Sequence, residues 1–552
     1  MPESSAGQLQ ERVAAALRKR EVLEAELAVE LETFTLGKFV SSRAGTHGTK
    51  TAIDIFERGE RATYSEMDTE SNRYAHALRA LGVRKGDRVG VLLPNRIEYP
   101  IIWFAIAKLG AIMVPINARY TSREIEYVLS DTQAQFAVVD ESAWQTFSAM
   151  DPWPTDLTRE KVILVGEAPS QAFVARLDSL LKQADNSPLE EDIGPKDILN
   201  IAFTSGTTGF PKGCMLTHEY ICLSSAFVCL DLEKYERYLS WAPFYYAEGQ
   251  GPLLRSYRQG GTLYMAEKLS STRFHDWMKK YRIEWCPIPE TLGRDPVIAA
   301  AASTQVKEIL QYGGWGSESI RQFRDQSGVP GHNAYGMTEI GWVTRLPADI
   351  PEMDRSDSTG LRSFFKELRL MNEDGSPTFI GEVGELWVRG RALFKGYWNK
   401  PEVNAAQFEG EWFKTGDLMR RDELGFYWIV GRKKEMIRRS GENIAAREVE
   451  AVIRDLPEVA DVAAVPVPDT KRGEEVKIYV ELKQGVSGDE QLVRRILQHA
   501  RSRLAIFKVP RYVSFIPALP RTASSEKVLK GELMSISDPI AESFDAEENR
   551  WH

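Results

Sequence analysis

Cysteine and histidine are scarce here: 552 residues contain four cysteines and seven histidines. Cys214, Cys222, Cys229 and Cys286 form no Cys-x-x-Cys pair and no cluster with histidine. A disulfide framework and a zinc site are therefore not indicated, and a reducing, cytoplasmic setting is expected. Long apolar runs are missing too. The most apolar stretch, residues 101–116, is interrupted by Lys108 and Gly110 and is too short to span a bilayer. It reads as a buried helix running into a strand. Positive charge is not in excess. A net charge of −9 argues against nucleic acid as the main partner, so any anionic substrate must be held by local donors. The N-terminus has no basic, then apolar, then small-residue leader; residues 8–32 instead mix Arg, Lys and Glu with Val, Ala and Leu at helical spacing and predict a surface helix. No Ser-His-Asp or Cys-His arrangement is evident, and no Walker A loop.

What is present is the composition of a soluble globular protein, 43% hydrophobic and 27% charged, long enough for several packed layers. Helical patterns alternate with short apolar strands up to about Lys434, the α/β pattern. Examples are a strand at 88–93, a helix at 99–109 and a strand at 136–139. Residues 182–196 and 347–358 read as surface loops. Beyond Lys434 the pattern restarts as a compact unit: helix 446–454, strand 459–467, strand 475–483, helix 488–504. This predicts two domains, 1–433 and 434–552. The acidic tail 538–552 reads as disordered.

The densest chemistry lies in Phe203-Thr204-Ser205-Gly206-Thr207-Thr208-Gly209-Phe210-Pro211-Lys212-Gly213, directly after the mostly apolar run Ile198-Leu199-Asn200-Ile201-Ala202. Glycines let backbone N–H groups approach oxyanions, hydroxyls donate further bonds, and the lysine adds a mobile positive charge. A strand delivering a phosphate cradle is the expectation. Gly209 is followed by Phe-Pro-Lys, so the cradle is not of the Walker type.

This loop resembles the phosphate-loop signature of the adenylate-forming superfamily, which includes acyl-CoA synthetases, adenylation domains and luciferases. The resemblance runs from about Thr63 to Leu533 through further signatures in family order. It implies a large multi-layer N-terminal α/β domain and a small α+β C-terminal domain that rotates about a hinge. In Tyr335-Gly336-Met337-Thr338-Glu339 it implies that the aromatic packs on adenine, Thr338 bonds a phosphate and Glu339 holds Mg²⁺; a hard cation bridging phosphates suits a carboxylate. In Thr415-Gly416-Asp417 and Gly431-Arg432 it implies that Asp417 accepts from the ribose hydroxyls and Arg432 helps hold the nucleotide. Lys434 becomes the hinge and Gly441 lines a pantetheine tunnel. In Pro520-Arg521-Thr522-Ala523-Ser524-Ser525-Glu526-Lys527-Val528-Leu529-Lys530 the catalytic lysine is Lys527, with one extra residue and Glu526 in the glycine position; Lys530 is the alternative.

Two departures concern the acyl side. Relatives with Pro-x-x-His-x-x-Gly differ from Pro243-Phe244-Tyr245-Tyr246-Ala247-Glu248-Gly249, where Tyr246 and Gly249 are expected at the acyl pocket. Relatives with Gly-Gly-Ala-Pro differ from Gly313-Gly314-Trp315-Gly316. Gly313 and Gly314 are expected beside the nucleotide, and Trp315 and Gly336 at the pocket; for Trp315 a core position that touches neither ligand stays open. Gly249-Gln250-Gly251 and Gly313-Gly314 leave room for a bulky or cyclic acyl group.

The implied function is an acyl-CoA ligase using ATP, Mg²⁺ and coenzyme A on a small carboxylic acid. Thr204, Ser205, Gly206, Thr207, Thr208 and Lys212 steady the polyphosphate, and Lys527 bridges carboxylate and α-phosphate. Thiol attack on the mixed anhydride then yields the thioester and AMP. Two other readings stand beside it. One is a half-enzyme passing the acyl-adenylate to a carrier protein or partner ligase. The other is a catalytically impaired acyl-adenylate-binding protein. The sequence leaves the oligomeric state open, a dimer among the options.

Overall fold

The computed structural model describes residues 3–167, 175–204, 211–227, 233–312, 315–440, 442–521 and 528–552. They form two compact units: Met1–Glu367 with Arg389–Phe413, and Leu368–Val388 with Lys414–His552.

The larger unit is mixed α/β. One sheet runs, from edge to edge, through Ala175–Arg176, Val162–Val165, Phe136–Asp140, Arg88–Leu92, Ile112–Pro115, Ile198–Thr204 and Lys212–Thr217. All neighbours are parallel except the last pair. Central strands such as Ile112–Pro115 and Phe136–Asp140 are buried at every position, so they read as unbroken apolar runs rather than alternation. Helix Glu98–Lys108 is likewise buried from Tyr99 onward and leads into Ile112–Pro115, as expected for the 101–116 stretch. Helices Tyr64–Leu81 and Ser122–Asp131 both begin in full capping boxes, Thr63 with Glu66 and Thr121 with Glu124. A second sheet orders Gly331–His332, Glu308–Tyr312, Trp285–Pro289, Arg237–Ser240, Thr262–Met265, Thr51–Ile55 and Glu60–Thr63. A small antiparallel sheet joins Ala334–Met337, Gly341–Arg345 and Leu361–Arg362.

The N-terminal helix spans Glu3–Leu31 and is only partly a surface element: Val13, Ala16, Arg20, Leu27 and Leu31 are buried. The 347–358 loop also turns inward, burying Ile350, Asp354 and Ser358. Among the described residues no helix is long and apolar enough to cross a membrane.

In the smaller unit, strands Val459–Asp469 and Gly473–Leu482 pair antiparallel, and Tyr512–Ile516 lies parallel to the second. Helices Ala446–Arg454 and Glu490–Arg503 supply Val449, Ile453, Val493 and Ile496 to the core. The acidic tail differs from its expected disorder. Phe544–Asp545 pairs with Tyr512–Val513 and then with Arg550–Trp551. Buried Phe544 and its edge-to-face contact with Trp551 provide apolar packing that net composition hides.

His218 opens helix His218–Phe227, fully buried, with Nδ1 accepting from Leu36 N–H at 3.0 Å. Burial pushes its pKa down to about 4, against the opposing pull of Asp197. The unfolded chain protonates near about 6.5 while the folded chain stays neutral, so stability is full above about pH 6.5 and falls towards pH 4, by up to ~3 kcal/mol. Urea midpoints at pH 7.5 and 4.5 should show this loss, and His218→Asn, which keeps an acceptor, should flatten it.

Candidate active site

The phosphate segment is built as an antiparallel hairpin. Ile198–Thr204 pairs with Lys212–Thr217, Thr204 standing opposite Lys212. Ser205, Gly206, Thr207 and Thr208, in the turn between them, lie outside the described residues. The second strand is also held on its other edge: Met215 N–H donates to Gly396 O at 3.1 Å, Lys395 N–H to Met215 O at 2.8 Å and Trp398 N–H to Gly213 O at 2.8 Å. This places Tyr397 beside Cys214.

Tyr397 joins two predicted groups. Its ring lies 4.8 Å from Lys212 Nζ, and its hydroxyl donates to Glu339 Oε1 at 2.8 Å. The Glu339 backbone carbonyl accepts from Phe394 N–H at 2.9 Å. Burial first, then the Glu339 charge, raise the Tyr397 hydroxyl pKa far above its ordinary value, so it stays a donor. Burial and the same carboxylate raise the Cys214 thiol, leaving it protonated and non-nucleophilic. Glu339 and Thr338 occupy the turn between Ala334–Met337 and Gly341–Arg345, closed by Ile340 N–H to Met337 O at 3.0 Å. Glu339 is only 6% exposed and Thr338 half-buried. Tyr335 is buried in the same hairpin. Gly336 is required by close approach, since a Cβ there would lie 2.5 Å from Gly341 O. The hairpin thus aims a buried carboxylate at Tyr397, and its oxygen donor set suits a hard divalent cation. Tyr397 itself was missed in sequence; Gly396-Tyr397-Trp398 stood out only as motif context. Tyr397→Phe should lower the adenylation rate about tenfold by freeing the carboxylate's orientation, with folding intact. Pyrophosphate release beside a thermal melt checks it.

The smaller unit carries the expected ribose pair. Asp417, buried, stands directly opposite Arg432 across strands Trp412–Arg421 and Tyr427–Arg432. Arg432 Nε donates to Asp417 Oδ1 at 2.7 Å. Thr415 Oγ1 accepts from Asp417 N–H at 3.0 Å and donates to Leu386 O at 2.7 Å, fixing the turn. Lys434 lies in the short helical turn Lys433–Glu435. Gly441 and Lys527 lie outside the described residues. The loop bearing Lys527 is nevertheless closed at its base, by the Arg521–Val528 bridge and Leu529 N–H donating to Pro520 O at 2.7 Å. Lys530 is committed elsewhere, 2.7 Å from Glu450 and 3.4 Å from Glu435.

On the acyl side, Tyr246 is half-buried, its hydroxyl accepting from Asn117 Nδ2 at 2.9 Å. Gly249 is needed for packing, since a Cβ would lie 2.3 Å from Pro243 O. Gly313 and Gly314 lie outside the described residues. Trp315 corrects the expectation that it lines the pocket. It has no exposed surface, its indole donates to Ile288 O at 3.0 Å, and its ring meets Phe323 edge-on within the core. A crevice that the sequence did not reveal lies instead against Gly341 and Trp342, close after Glu339. Its walls include Tyr220, Phe227, Ser363, Phe364 and Lys366. Phe227 and Trp342 stack at 5.7 Å, nearly parallel. Lys366 donates to Arg391 O at 2.8 Å, and burial pushes its pKa down to about 7.

Residues 40–398 match the model of the AMP-binding enzyme family, and residues 448–526 match the AMP-binding enzyme C-terminal domain. The chain belongs to the AMP-binding enzyme family. Among curated relatives, the crotonobetaine/carnitine–CoA ligase of Salmonella agona (strain SL483) is 30% identical over 509 residues, covering 89% of this chain and 97% of the relative. ATP-bound MatB from Rhodopseudomonas palustris is 26% identical with a TM-score of 0.81, over 91% of this chain and 98% of that one. The anthranilate CoA ligase AuaEII, solved with anthranoyl-AMP, shares the fold at 24% identity and a TM-score of 0.83, over 91% and 97%. The protein is an AMP-forming acyl-CoA ligase, with the large N-terminal and smaller C-terminal domains of adenylate-forming enzymes. Such ligases use ATP and coenzyme A.

Proposed function

We propose that this ligase activates a bulky or cyclic carboxylic acid as its acyl-adenylate and passes the acyl group to coenzyme A. The observation that carries this reading is the convergence of Lys212, Tyr397 and Glu339 beside an aromatic-walled crevice. The cation and hydroxyls of the phosphate hairpin hold the triphosphate. Glu339 would hold Mg²⁺, which when bound supplies charge neutralisation at the phosphates. The crevice takes the acyl body, flat walls such as Trp342 favouring a ring over a flexible chain. Asp417 and Arg432 hold the ribose, Lys527 the carboxylate and α-phosphate, and Gly441 the pantetheine path. Lys434 is the pivot for segment 434–552; the unmatched stretch between residues 398 and 448 supports a connector there. The impaired-binder reading loses one of its two supports, because Trp315 sits in the core.

A panel of aromatic, alicyclic, straight-chain and trimethylammonium acids, crotonobetaine among them, scored by pyrophosphate release, tests the substrate class. A preference for straight-chain acids would overturn it, and preference for crotonobetaine would mark the aromatic walls as a cation site. Coenzyme-A-dependent AMP release separates the full ligase from the half-enzyme. Asp417→Ala should weaken ATP binding about 10- to 100-fold, because a ribose acceptor is lost and Arg432 loses its partner. Equal affinity in an ATP titration would remove Asp417 from the site.

A further inference from the structure

The helix Glu3–Leu31 precedes the family match, which begins at residue 40, and no step proposed above uses it. Its polar contacts converge on the crevice. Arg20, 7% exposed, donates to the backbone carbonyls of Arg345, at 3.3 Å, and Arg362. The first ends the strand that carries Trp342; the second ends the strand that leads into Ser363 and Phe364. One turn further along the helix, Glu24 accepts from Phe365 N–H at 2.9 Å. Phe365 holds φ at +53°, a conformation that a bulky side chain disfavours, between the crevice residues Phe364 and Lys366. An outside acceptor on its N–H helps hold it there.

The opposite wall is gripped as well. Glu30 pairs with Arg258 through two contacts of 3.0 Å. Arg258 in turn donates to Ser225 Oγ at 3.0 Å and approaches Cys222 Sγ at 3.6 Å. Ser225 and Cys222 belong to helix His218–Phe227, which brings Tyr220 and Phe227 to the crevice. One helix therefore reaches both walls through residues 20, 24 and 30. A guanidinium is buried only where its donors are satisfied, and Arg20 is placed where two wall-bearing strands end.

We propose that helix Glu3–Leu31 is a strap that sets the width of the acyl crevice and thereby selects the acid, with Arg20, Glu24 and Glu30 as positioning residues. The inference rests on the crevice being the acyl site. Walls supplied by separate segments move independently unless tied, and shifts of about 1 Å in substrate placement change rates severely.

The test uses the full-length enzyme with saturating ATP and coenzyme A. Arg20→Met, Glu24→Gln and Glu30→Gln should each raise KM for the preferred acid about 5- to 20-fold and reorder the acids by width, while KM for ATP stays within about twofold. Arg20→Lys, keeping a donor, should recover part of the loss. Trp342→Ala alters the crevice directly and calibrates the result. If Trp342→Ala shifts KM for the acid and the helix variants do not, the strap is overturned and the crevice stands. If Trp342→Ala leaves KM for the acid unchanged, the crevice reading falls and the strap falls with it. If the helix variants raise KM for acid and ATP together, the helix is a general stabiliser and the inference is wrong.

Discussion

Lys527→Ala is expected to slow acyl-adenylate formation by about 10²- to 10³-fold, the scale of removing a charge that stabilises a transferring phosphoryl group. Thioester formation from a supplied acyl-adenylate should be largely preserved, because that step needs no charge at the α-phosphate before it begins. The alternative lysine has a different occupation. Lys530 is held by Glu450 at 2.7 Å and Glu435 at 3.4 Å, with its side chain mostly buried. Lys530→Ala should therefore lower the thermal midpoint by stranding the buried Glu450 carboxylate, whose Oε1 also accepts from Ala464 N–H at 2.7 Å. Pyrophosphate exchange and a melt on both variants decide the matter. Normal exchange in Lys527→Ala with lost exchange in folded Lys530→Ala would reverse the assignment.

Lys434→Pro is expected to separate the half-reactions. Proline fixes φ near about −65° and removes a donor, so a pivot that must change its dihedrals would be locked. An enzyme folded in the adenylating arrangement would keep the first step and lose the second by about tenfold or more. The measurement is each half-reaction alone, with folding checked by melt. Equal loss of both, or of neither, would count against Lys434 as the hinge.

Local chemistry was legible in the sequence because its signals are contiguous. The hairpin Ile198–Thr204 with Lys212–Thr217 follows from an apolar run, a glycine- and hydroxyl-rich turn and a second strand. The Asp417–Arg432 pair follows from two strand motifs that fall into register. The buried helix Glu98–Lys108 and the helix Ala446–Arg454 lie where periodicity placed them. Trp315 was not decidable in this way, because a loop tryptophan reads alike in a pocket or a core. What places it in the core is the shape around it, where Gly293 leaves space that a Cβ would fill at 1.9 Å from the indole. The tail was misread for a related reason: average acidity describes solvation, whereas Phe544 and Trp551 act through pairing that composition does not register.

By itself the sequence determined the family, the α/β class, the two-domain order and the residue types available for phosphate, metal and ribose. Each of these depends on short stretches whose residues are neighbours in the chain. The tertiary structure alone decided which groups meet. Tyr397 joins Lys212 to Glu339, Glu308 joins Arg255 and Arg345 in the interior, and the N-terminal helix reaches both walls of the crevice. Those meetings depend on how sheets stack and where strands end, and a buried polar contact forms only when folding brings its partner within hydrogen-bond reach.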